Sequence, residues 1–113
     1  VQKIFKATSV TQRKDGVIVD FGQNMSGWVQ ARLKGRAGQK IEFQFAEVLT
    51  PEGDLDRRNV SDATDTYIFG AETDVVYHPT FTYHGFRYAK IKGLDYTPRL
   101  DEVEAHFIYD GVL

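Results

Sequence analysis

Apolar and polar residues alternate with a period of two along most of this chain. Val17, Val19 and Phe21 fall on one face, with Ile18 and Asp20 on the other. Val29, Ala31 and Leu33 alternate with Trp28, Gln30, Arg32 and Lys34; Ile41, Phe43 and Phe45 with Glu42, Gln44 and Ala46. Near the end, Val103, Ala105, Phe107 and Tyr109 oppose Glu104, His106 and Asp110. Such runs, bounded by turn residues, are strands with one wet face. Helical spacing is scarce, and only Leu55 to Ala63 suggests a short helical turn. Asp15-Gly16 fits a tight hairpin in which Gly takes positive φ. Lys34 to Gln39 (KGRAGQ) predicts a second hairpin and Gly70 to Thr73 a third. Gly85, inside the run Phe81 to Lys92, predicts a bulge or corner. The reading is all-β: an antiparallel β-sandwich or jelly roll of roughly eight strands.

The same phase predicts the core: Val19, Phe21, Val29, Ala31, Leu33, Ile41, Phe43, Phe45, Tyr67, Phe69, Phe81, Phe86, Phe107 and Tyr109. Glu47 continues the Phe43 and Phe45 face. It must lie past the core's edge or meet a cation such as Arg57, Arg58 or Arg87.

A length of 113 residues fits one domain, residues 1–113. A chain of that size hides about two-thirds of its extended surface on folding, which supports a core without staples. Cysteine is absent, which excludes disulfides, thiolate catalysis and cysteine-ligated zinc. It leans slightly toward a reducing compartment, but localisation, cytoplasmic or secreted, stays open. Fourteen basic and 16 acidic residues give a net charge of −2. That balance argues against a nucleic-acid partner, which calls for a basic face. No uncharged stretch reaches the ~18 apolar residues of a membrane span. The first residue is Val and not Met, which suggests a processed product or a piece of a longer protein.

Candidate chemistry is thin. His78, His84 and His106 sit at no zinc-ligand spacing, so the reading is no metal and no cofactor. The loop with Glu52, Asp54, Asp56, Asn59, Asp62 and Asp65 is oxygen-rich, but Arg57 and Arg58 interrupt it. Local ion pairs explain it better than calcium. Ser9, Ser26 and Ser61 lie in no nucleophile elbow, and no catalytic residue is assigned. Two stretches stand out. Asp20 to Trp28 (DFGQNMSGW) holds a polar turn and the sole Trp. Phe81 to Tyr88 (FTYHGFRY) crowds aromatics and His around Gly85 and Arg87. Such rings and a guanidinium can meet sugar hydroxyls or carboxylates; the plainer account is core aromatics with Arg87 tying a loop.

At these stretches the chain resembles bacterial α-L-rhamnosidases, in the concanavalin-like β-sandwich that precedes their catalytic barrel. The resemblance rests on DFGQNMSGWV (20–29), KGRAGQKIEFQFAEVL (34–49), EGDL (52–55), ATDTYIF (63–69) and PTFTYHGFRYAKIKGL (79–94), in order and with fitting gaps. It implies a parent enzyme that hydrolyses terminal α-L-rhamnose with inversion, using two acids of an (α/α) barrel. No position here matches either acid. Related enzymes carry a separate calcium-using rhamnose-binding sandwich, which these motifs do not match. The implied partners are that barrel, in the same parent chain, and a rhamnose-containing carbohydrate at its rim. The alternative is an independent carbohydrate-binding module. Gln23, Asn24, Trp28, Tyr83, His84 and Arg87 are the candidates for a barrel interface or sugar rim. Arg87 has an internal alternative: bonds to carbonyls of the Gly22 to Asn24 turn.

Overall fold

The computed structural model describes residues 2–57, 64–78 and 84–108. Eight strands carry the fold: β1 (Gln2–Lys6), β2 (Ser9–Arg13), β3 (Gly16–Lys34), β4 (Lys40–Ala46), β5 (Thr64–Ile68), β6 (Asp74–Tyr77), β7 (His84–Lys92) and β8 (Val103–Ile108). Among the described residues the sole helical segment is a 3-10 turn, Leu100–Glu102. All strand pairs are antiparallel.

The organising element is β3, 19 residues long and shared by both layers of a β-sandwich. Its first part, Val17 to Asp20, pairs with β2 on one side and β7 on the other; β7 pairs on to β4, and β4 to β5. Its later part, from Gly27 onward, pairs with β8, which pairs with β1, and with β6. The apolar residues of both layers meet between them. Phe43 of β4 stacks on Tyr77 of β6 with centroids 5.0 Å apart, and Phe45 and Phe21 both pack against Phe86.

Ten of the expected core residues are buried: Val19, Phe21, Val29, Ala31, Leu33, Ile41, Phe43, Phe45, Phe69 and Phe86. Tyr67 and Phe107 are partly buried against them, while Phe81 and Tyr109 lie outside the described residues. Glu47 is exposed just beyond β4, past the core's edge. Ile18 departs from the simple picture. It lies on the outward face yet is buried, because Leu49 and Leu55 fold over it in a small second cluster with Ala46 and Tyr88.

Two expected hairpins are not hairpins. The Lys34 to Gln39 segment leaves β3, but β4 pairs with β5 and β7. Gly70 to Thr73 separates β5, which pairs with β4, from β6, which pairs with β3. Both segments carry the chain from one layer to the other. The β2–β3 hairpin is present, with Arg13 opposite Gly16. Gly16 is not among the positive-φ glycines. It is required instead by close approach, since a Cβ there would lie 2.7 Å from the Ile91 carbonyl oxygen. The expected helical turn after Leu55 is unsupported at Leu55 itself, which bridges to Leu49; residues 58–63 lie outside the described residues.

Candidate functional site

The break in the β3–β7 ladder builds the most distinctive feature. Asp20 pairs with Tyr88 and Met25 with Phe86, so four residues, Phe21 to Asn24, stand opposite Arg87 alone. A sheet cannot absorb that excess in plane, so the chain bulges. Gly22 takes φ of 88°, a conformation that any side chain would strain. Phe21 and Met25 anchor the bulge in the core, while Gly22, Gln23 and Asn24 are exposed. The sequence suggested a break at Gly85. The register shift falls opposite Arg87 instead, and the extra residues belong to β3.

Asp20 holds this corner. Its carboxylate accepts from the Gly22 amide at 2.8 Å and from Arg87 through Nε at 2.9 Å and Nη2 at 3.1 Å. Its carbonyl accepts from the Thr8 amide and hydroxyl at 2.7 and 2.9 Å, tying down the β1–β2 connection. Burial works against ionisation of Asp20. The bonds from Arg87 and Gly22 outweigh it, and its pKa falls below the ordinary carboxylate range. Arg87 thus has a carboxylate as its internal partner, where turn carbonyls were the expected one. Its guanidinium also lies 5.0 Å from the Tyr88 ring centroid.

The other candidates disperse. Trp28 stands on the outward face of the β8 layer, stacked on His106 at 4.0 Å and 11°. His78 flanks it from the β6 side at 5.7 Å. His84 faces elsewhere, stacking on Phe45 at 4.6 Å with its Nε2 3.2 Å from Asp65. Tyr83 lies outside the described residues. The fold therefore gathers Gln23, Asn24 and Arg87 at one corner and separates them from Trp28 and His84.

Sequence reading missed two arrangements. Lys90, 3% exposed, bonds both Asp15 and Asp54 at 2.8 Å. Its ammonium is disfavoured by burial, but the two carboxylates more than compensate and raise its pKa; Lys90 in turn lowers both aspartates. This clamp fastens the acidic loop to the sheet. His106, buried beneath Trp28, has its Nε2 3.1 Å from Glu104, to which Gln30 also donates. A lysine within the apolar run YAKIK was the available signal for the first; nothing local marks the second. Among the described residues no group of three or more His, Asp or Glu is placed to hold a metal ion.

An antiparallel sandwich whose layers share one bulged strand, with a polar corner at the crossover, defines a β-sandwich module. Residues 10–109 match the family model of the bacterial alpha-L-rhamnosidase concanavalin-like domain, and the chain belongs to that family. It is 38% identical over 112 residues to an alpha-L-rhamnosidase of Streptomyces avermitilis, covering 96% of this chain and 11% of that protein. The crystal structure of the Streptomyces avermitilis alpha-L-rhamnosidase complexed with L-rhamnose superposes with a TM-score of 0.90 at 35% identity. That match covers 96% of this chain and 11% of the solved one. The alpha-L-rhamnosidase structure from Dictyoglumus thermophilum gives 0.89 at 32% identity, covering 96% and 13%. The chain thus spans about a tenth of the length of the relatives it matches.

Proposed function

We propose that residues 1–113 form a non-catalytic β-sandwich domain of a longer, inverting α-L-rhamnosidase-type glycoside hydrolase. The domain supports the catalytic (α/α) barrel, and its Gly22 to Asn24 corner contacts that barrel near the sugar-binding rim. The observation that carries this reading is the corner itself. A four-residue bulge, anchored by Phe21 and Met25 and pinned by Asp20 and Arg87, presents the amide side chains of Gln23 and Asn24 to the outside. Bulges are over-represented at sheet edges and next to functional sites, where they re-aim side chains. Arg87 acts here by positioning the corner.

An independent carbohydrate-binding module is the weaker reading. Its sole Trp would be the natural platform for a pyranose face. One face of that ring is covered by its stack on His106, and His78 flanks it at 5.7 Å, which makes it a poorer platform.

The purified 113-residue chain should not hydrolyse an aryl α-L-rhamnoside even at high concentration. Turnover that survives repurification, and disappears when a carboxylate of this chain is neutralised, overturns the proposal.

A further inference from the structure

The outward face of the β2–β3–β7 layer carries a cleft of about 280 Å³. Ser9, Thr11 and Arg13 form one wall at alternate positions of β2, opposite Asp20, Ile18 and Gly16 of β3. Leu49 and Gly53, from the loop after β4, form the other. Half-buried Leu49 and Tyr88 give the cleft its apolar surface, with Ile18 buried beneath them.

The far wall is built and held. Thr50 and Asp54 bond through their backbones at 2.7 Å, Asp56 and Val48 at 3.0 Å, and Leu49 bridges to Leu55. The Lys90–Asp54 bond fastens this loop to the sheet from beneath, and Arg13 Nη1 donates to the Glu52 carbonyl across the cleft mouth at 3.1 Å. A ligand entering here meets a preformed shape and orders little on binding.

The chemistry of the lining selects the ligand class. The rim offers two exposed hydroxyls, a guanidinium and a carboxylate, so both donors and acceptors are present. Asp20 is already neutralised by Arg87, which removes any attraction for a cation. One guanidinium, itself engaged with a carbonyl, makes a poor anion site. An apolar floor under a ring of mixed donors and acceptors suits a neutral pyranose, which shows C–H surface on one face and hydroxyls at its edge. The volume accommodates one such unit and not a chain buried along its length.

We propose that this cleft is a secondary glycan subsite that holds one neutral pyranose unit, next to the corner assigned above to the barrel contact. The proposal rests on the reading of the chain as a glycosidase module, and the two fail separately. A cleft that binds no glycoside leaves the corner reading standing, and the corner is tested by hydrogen exchange.

The test is an amide-resolved NMR titration of the 113-residue chain. The probes are methyl α-L-rhamnopyranoside and methyl β-D-glucopyranoside, with glycerol and sodium sulfate as comparisons. Expected are saturable shifts from at least one glycoside, centred on residues 9–13 and 49–53, with millimolar affinity. Thr11→Trp, which fills the cleft from an exposed strand position, should weaken binding about tenfold or more while the rest of the spectrum is retained. Arg13→Gln should weaken it in the same direction. Absence of saturable glycoside shifts, shifts centred on Trp28 and His106, equal shifts from glycerol or sulfate, or an unchanged titration in both variants overturns the proposal.

Discussion

Phe43→Ala tests the strand phase on which the whole core depends. Phe43 is fully buried in β4, opposite Ile91 of β7, and stacks at 13° on Tyr77 of the other layer. Truncating a ring in such a place costs about 3–5 kcal/mol, from lost transfer free energy plus the cavity left behind. The stack with Tyr77 accounts for about 0.5–1.5 kcal/mol of that. Domains of this size have about 5–15 kcal/mol in total, so the variant should remain folded but much weakened. In urea the midpoint should fall by at least about 1 M, and the melting temperature by about 12–20 °C. Gln44→Ala, one residue on and outward-facing, should change stability by about 0.5 kcal/mol or less. A loss below about 1 kcal/mol for Phe43→Ala, or a larger loss for Gln44→Ala, would refute the assignment of inner and outer faces.

Other expectations follow from the corner and the clamp. Arg87→Ala should lower the melting temperature of the chain, as should Asp20→Asn, and the double variant should lose less than the two losses combined; strict additivity would mean that the pair does not act together. Asp15, Asp20 and Asp54 all have lowered pKa values in the folded chain, so the stability they supply is complete above about pH 4. It is lost as pH falls through the lowered folded values. Melting curves between about pH 6 and about pH 2 should therefore drop mainly below about pH 4. The drop should be shallower in Lys90→Met, which removes the partner of Asp15 and Asp54; an identical acid profile would contradict the clamp.

Strand positions and the core were readable because burial on one face leaves a period-two trace. Val29 to Leu33 and Ile41 to Phe45 are clear cases. Strand partners were not readable. KGRAGQ marks a bend, but whether the next strand folds back beside β3 or crosses to the other layer depends on tertiary pairing, here of β4 with β7. The same holds for Gly70 to Thr73. The corner was half legible: FGQN announced a polar turn, while its clamp joins Asp20 to a residue 67 positions away. Ile18 and His106 show a further limit. Both sit on faces that alternation marks as wet, and both are buried by neighbours contributed from elsewhere in the chain: Leu49 and Leu55 for one, Trp28 for the other.

The Gly22 to Asn24 corner is proposed above as a contact surface in a longer protein. Hydrogen exchange measured on the 113-residue chain alone and on the same residues within the proposed longer glycosidase chain tests it most directly. The amides of Gln23 and Asn24, both exposed residues, should exchange faster in the chain alone than the Asp20-bonded Gly22 amide and be markedly protected in the longer protein, with Gln23→Ala/Asn24→Ala reducing that protection. Equal exchange at these amides in both proteins would contradict the claim.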